Sequence, residues 1–191
     1  MNDLKYKYSL TFRKEGLLIF LSQLDLMRLL ARALQKSGLP VAYSQGFNPH
    51  PRYALPYPLP VGYTGTAEIL ELYLTRPLPE TGLAARLNEY LPDGVCMTGA
   101  VPGSLQPAYY LRVLLEAEFS LPENWPELVL TKETKRGRVE HFRLGEHMQL
   151  ALSGRELYIT PLGAVPLRAE KICALLGLAP EQIAEIIREA R

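Results

Sequence analysis

A chain of 191 residues, 48% hydrophobic and 21% charged, is long enough for one domain with a sizeable core or for two small ones. No apolar run is long enough to span a bilayer, and the polar start MNDLKYKYS lacks a signal-peptide apolar stretch, so the expected location is the cytoplasm. The net charge of +1 hides an uneven spread: residues 1–60 hold eight Lys/Arg against three Asp/Glu, residues 61–131 three against nine, and residues 132–191 ten against eight. A basic first third in a neutral chain points to a localised anion-binding face.

Tyr6 to Phe12 alternates apolar and polar residues and predicts a strand, followed by a turn at residues 13–16. Leu17 to Leu21 is short and apolar and is expected to continue as a buried segment. Ser22 then has the hydroxyl to cap a helix, with Asp25 suited to the positive end of its dipole. Leu26, Met27, Leu30, Ala33 and Leu34 form the expected buried stripe, and Gly38 and Pro40 stop the helix. Its polar face carries Arg28, Arg32 and Lys36 at four-residue spacing, a basic ridge in which Arg28 is expected to pair with Asp25.

The loop GLPVAYSQGFNPHPRY, Gly38 to Tyr53, organises the rest. Gly46 is free to take φ > 0, Pro49 and Pro51 fix their own φ, and each proline holds the residue before it extended. Phe47, Asn48, His50, Arg52 and Tyr53 are therefore candidate binding residues: they supply stacking, hydrogen-bonding and anion-pairing groups. The other reading is that Phe47 packs into the core and the prolines only shape a turn. Beyond it, the alternating prolines of Leu55–Val61 predict an edge strand or a segment lying along one. Ala67–Leu74 reads as a strand, Pro79–Leu91 as a helix with Leu83, Leu87, Tyr90 and Leu91 inward, and Val95–Val101 as a strand. The order β, α, β, β, α, β is the ferredoxin-like pattern.

Pro102–Pro107 marks a boundary, so the expected domains are 1–103 and 104–191. In the second, Leu111–Phe119 reads as a strand. Leu128–Leu144 and Gln149–Thr160 read as hairpins, and two C-terminal helices follow, over Leu167–Leu176 and from Pro180 with Ile183, Ile186 and Ile187 as its stripe. The fold class is thus α+β: a ferredoxin-like unit, then a smaller α/β unit. Lys135 and Arg136, in the basic 132–143 hairpin, are further candidates for phosphate contact.

Cys96 and Cys173 stand far apart, and His50, His141 and His147 lack the spacing of a metal motif; His141 and His147 are expected on strands. No cofactor or metal is expected. No C-x-x-x-C-x-x-C, Gly-rich phosphate loop, H-E-x-x-H or G-x-S-x-G occurs.

Three segments, FLSQLDLMRLLARALQKSGLPVAYSQGFNPHPRYALPYPLPVG (20–62), LNEYLPDGV (87–95) and KETKRG (132–137), resemble the radical-SAM-linked family of bacterial domains of unknown function. The chain resembles the form encoded separately, beside a radical SAM protein. The resemblance implies a partner that supplies any iron–sulfur cluster, and it carries over no catalytic residue. Where the family commonly reads F-L-S-H-L-D, this chain has Gln23, which keeps a hydrogen bond but does not titrate. The combined reading is a non-catalytic accessory protein that binds RNA, tRNA or rRNA, for modification by that enzyme. The alternatives are a structural partner without nucleic acid and a metal-independent RNA-processing enzyme using His50 and Arg52.

Overall fold

The computed structural model describes residues 6–133, 137–163 and 168–190. The chain is mixed α/β and divides into two compact units, the first ending at Pro107 and the second beginning at Ala108.

In the first unit the elements run β1 (Tyr6–Lys14), a 3-10 turn (Gly16–Phe20), α1 (Gln23–Lys36), β2 (Tyr53–Ala54), β3 (Tyr63–Leu74), α2 (Glu80–Asn88) and β4 (Val95–Pro102). β1 is central. It pairs antiparallel with β3, Tyr8 opposite Leu72 and Leu10 opposite Leu70, and with β4, Leu10 opposite Ala100. β2 pairs with β3 through Tyr53 and Leu72. Period two puts Tyr8, Leu10 and Phe12 of β1 on the same face as Leu70, Leu72 and Leu74 of β3. That face buries Leu26, Leu30, Ala33 and Leu34 of α1 and Leu83 and Leu87 of α2 in one cluster. Each of these leucines contributes roughly 1.5–3 kcal/mol on burial.

α1 forms where cap, stripe and stop signals agree. The Asp25 N–H donates to Ser22 Oγ at 3.2 Å, and Gly38 beyond the C-cap has φ 68°. Met27, expected in the stripe, is only half-buried. Leu17–Leu21 is not a buried continuation: Gly16, at φ 61°, turns the chain into a 3-10 turn that leaves Leu17 85% and Phe20 66% exposed. Of Leu55–Val61, no residue lies in a strand; only Tyr53–Ala54, just before it, joins the ladder, and Leu59 is buried.

In the second unit β5 (Tyr109–Leu115) is followed by a 3-10 turn at Trp125, β6 (Val129–Glu133), β7 (Val139–Arg143), α3 (Leu144–His147), β8 (Met148–Ser153), β9 (Glu156–Pro161), α4 (Ala169–Leu175) and β10 (Ile183–Ala190). β5 lies between β9 and β10, with β8 outside β9, while β6 and β7 make a separate two-stranded sheet. The strands of both expected hairpins pair antiparallel, the 134–136 part of the first hairpin's turn lying outside the described residues, and the expected 111–119 strand ends at Leu115. His147 lies in α3, not on a strand, with its ring edge-on to Phe142. The second expected C-terminal helix is absent. Pro180–Gln182 is a single 3-10 turn and Ile183–Ala190 is a strand. The i, i+3, i+4 spacing of its isoleucines imitates a helix, but β-branched side chains favour the extended backbone.

Candidate functional site

Arg28, Arg32 and Lys36 stand one helical turn apart, about 6 Å along the axis between neighbours. They line a groove of about 500 Å³ whose opposite wall is Tyr90 and Pro92, with Leu21, Leu29 and Ala33 between. The opposite wall exists because α2 ends at Asn88, so Tyr90, expected inward, is released to the surface. Gly94 then returns the chain at φ 91°, where a Cβ would sit 2.7 Å from the Glu15 carbonyl oxygen. Arg86 braces the two walls. Its Nε donates to Ser37 O at 2.6 Å, satisfying a carbonyl at the end of α1, and its guanidinium lies 5.6 Å over the Tyr90 ring.

The three cations differ. Arg28 donates to Asp25 at 3.1 Å, and Asp25 also accepts from the Ser22 hydroxyl at 2.6 Å. The Ser22 hydrogen bond first, and Arg28 second, hold the Asp25 carboxyl below its ordinary value. Arg32 and Lys36 have no carboxylate partner among the described residues.

The 38–53 loop is a small pinned hairpin. Arg52 N–H donates to Ala42 O at 2.7 Å, Ser44 N–H to His50 O at 2.8 Å, and His50 N–H to Ser44 Oγ at 3.0 Å. Its base joins β3 through Ala42 N–H to Tyr73 O and Tyr73 N–H to Arg52 O. Gly46 turns the tip at φ 129°, and Phe47 stands at the apex with 106% relative exposure. Asn48 and His50 are exposed beside it.

The remaining loop candidates are engaged. The Tyr53 hydroxyl donates to Met27 O of α1 at 2.7 Å, and burial pushes its pKa up. The Arg52 guanidinium lies 5.3 Å over Tyr73, whose ring also carries Lys7 at 5.7 Å. Lys7 in turn pairs with Glu71 at 2.7 Å, and that contact raises its pKa.

The candidates therefore fall into separate places. Met27 and Lys36, nine residues apart, are about 180° out of phase on a helix. The loop meets α1 on the Met27 flank, and Arg32 and Lys36 face the groove on the other. Lys135 and Arg136 lie outside the described residues.

Two polar groupings went unread in the sequence. Lys14 and Glu68 are buried, 1% and 2% exposed, on the core face of the β1–β3 ladder. Lys14 Nζ donates to Ile19 O at 3.1 Å, and the Glu68 carboxyl lies over Gly65, the residue opposite Lys14. Period two carried the signal: Lys14 continues the Tyr8, Leu10, Phe12 series, and Glu68 precedes Leu70, Leu72 and Leu74. In the second unit, Arg112 joins Glu189 at 2.7 Å and Glu156 at 3.2 Å, and these carboxylates accept from Tyr110 and Tyr158. Those hydrogen bonds raise both phenol pKa values, and the Tyr158 hydroxyl is the main cause that lowers Glu156. Burial pushes the Cys173 thiol up to about 12. Among the described residues, no three His, Cys, Asp or Glu side chains come together in a way that could hold a metal ion, and no helix is long and apolar enough to cross a membrane.

A family model described as "Uncharacterized protein conserved in bacteria (DUF2344)" matches residues 7–158. The chain belongs to this family. The matched span takes in the whole groove and pinned loop of this DUF2344 chain and ends inside β9. No curated protein matches it.

Proposed function

We propose that the chain is a non-catalytic, cytoplasmic RNA-binding accessory protein, with α1 and the Tyr90–Pro92 wall as the RNA-binding groove. The observation that carries this reading is the pair Arg32 and Lys36, without a carboxylate partner among the described residues and one turn apart in a groove with an aromatic on its far side. A cationic row tracks a phosphate backbone, and an exposed ring stacks on an unpaired base. Arg28, paired with Asp25, contributes less. The radical SAM protein as partner rests on the resemblance of segments 20–62, 87–95 and 132–137. The order β4, β1, β3 with β2 on β3, all antiparallel, supports reading the first unit as the ferredoxin-like βαββαβ arrangement.

Anisotropy of a labelled single-stranded RNA, titrated at several salt concentrations, tests the groove. Replacing Arg32 and Lys36 together by Ala should weaken binding at least tenfold. It should also lower the slope of log K against log salt by about 1.4, since each lost phosphate contact removes about 0.7. Unchanged affinity in a folded double variant would overturn the reading. Co-purification of the tagged chain from its own cells, with a radical SAM protein recovered, tests the partnership separately.

A further inference from the structure

Among the described residues, the outer edge of β6 in the β6–β7 sheet is unpaired and lies beside a charged cleft. Leu144 N–H donates to Leu128 O at 2.8 Å, and the pairing continues Leu130 with Phe142 and Lys132 with Glu140. Hydrogen-bonded and non-bonded pairs alternate along an antiparallel ladder, so Val129, Thr131 and Glu133 point their N–H and C=O groups away from β7. Among the described residues nothing pairs with that edge. A cleft of about 410 Å³ is lined by four consecutive β6 residues, Leu130 to Glu133, and by Arg168 and Lys171 at the α4 end. Successive side chains alternate between faces, and a cleft lined by all four of these consecutive residues follows the strand and not one face of it. Lys132, Arg168 and Lys171 outnumber Glu133 there, and all four are exposed.

We infer that this edge takes up an extended acidic segment of a partner protein by strand addition. The outward groups of Val129, Thr131 and Glu133 alternate donor and acceptor, repeating about every 6.8 Å, and a peptide backbone offers the complement at that repeat. A phosphodiester, which only accepts, leaves the carbonyls unmet. Lys132, Arg168 and Lys171 select carboxylates on the incoming strand, and the buried Leu130 gives the cleft an apolar floor. This surface is independent of the α1 groove and of whether the chain binds RNA.

The full chain is titrated with a fluorescein-labelled peptide of four Glu-Val repeats, and with four Lys-Val repeats for comparison. The acidic peptide should bind and the basic one should not. Thr131→Pro deletes an outward N–H while sparing the ladder bonds of Leu130 and Lys132, and it should weaken binding at least tenfold. Arg168→Glu with Lys171→Glu should do the same. In the wild type, the amides of Thr131 and Glu133 should gain protection from hydrogen exchange when the peptide is added, which serves even if the proline variant does not fold. No binding of the acidic peptide, or binding with no protection at these amides, would overturn the inference. So would tighter binding of a single-stranded RNA that is lost on the same charge reversal.

Discussion

The two flanks of α1 are built differently. On one, Arg32 and Lys36 of α1 face Tyr90, in the turn that follows α2, across a groove braced by the Arg86–Ser37 hydrogen bond. On the other, the loop is fixed by backbone hydrogen bonds to the β3 edge, and its tip, Gln45 to His50, contains no Lys or Arg. The groove cations Arg32 and Lys36 and the most exposed aromatic, Phe47, thus lie on separate flanks of α1. An electrostatic contact and an apolar one can be removed independently, which makes the comparison open to experiment.

The largest effect should come from the residue that holds the helix in place. Leu30 is 1% exposed at the centre of the α1 stripe. Leu30→Ala should cost about 2–5 kcal/mol in chemical denaturation through the cavity it leaves. The groove should suffer first, because the loop's pins run to β3. Next is Gly46→Val. A Cβ there meets nothing within 4 Å, so its cost comes from the φ of 129° alone, roughly 1–3 kcal/mol. That variant should blur the loop and leave RNA binding by the groove unchanged. Loss of both would show that the flanks are coupled.

A smaller change tests the start of α1. Ser22→Ala removes the cap and should cost about 1 kcal/mol near neutral pH. It also removes the main cause of the low Asp25 pKa. A carboxyl whose folded pKa lies below its unfolded value, here 3.8, stabilises the fold above that value and loses the contribution as pH falls through the folded one. Stability of the wild type should therefore decline on acidification below about pH 4, and Ser22→Ala and Asp25→Asn should each flatten that part of the curve. Equal slopes in all three proteins would mean that Asp25 contributes nothing to acid sensitivity.

What the sequence revealed follows from how local each signal is. α1 was legible because Ser22, the apolar stripe and Gly38 all specify the same helix. The β6–β7 and β8–β9 hairpins were legible from alternation interrupted by turn residues. β10 was not, because Ile183, Ile186 and Ile187 satisfy helical spacing and only pairing within the sheet decides otherwise. Arg32 and Lys36 were identifiable as a ridge, but their opposite wall was not. Tyr90 satisfies the inward helical spacing, and its exposure depends on α2 stopping two residues earlier. The loop's stiffness was written in Gly46, Pro49 and Pro51, whereas the engagement of Tyr53 with Met27 O and of Arg52 with Tyr73 depends on neighbours distant in the chain.

Phe47 should give the smallest stability effect and the sharpest test of the loop. A core phenylalanine truncated to Ala costs about 3–5 kcal/mol. At the apex, with its ring in solvent, Phe47 leaves no cavity when removed, so Phe47→Ala should shift unfolding by no more than about 0.5 kcal/mol. A drop of several kcal/mol would mean that the ring packs inside and the loop folds differently from the pinned hairpin. With stability preserved, binding becomes readable. If the groove alone grips RNA, Phe47→Ala keeps the affinity and salt slope that Arg32→Ala and Lys36→Ala lose, and the two flanks serve different partners. If the ring stacks on a base, the variant loses about 1–3 kcal/mol of affinity with the salt slope intact, because stacking releases no counterions. That second result would show RNA reaching around α1 from groove to loop and would end the division between the flanks.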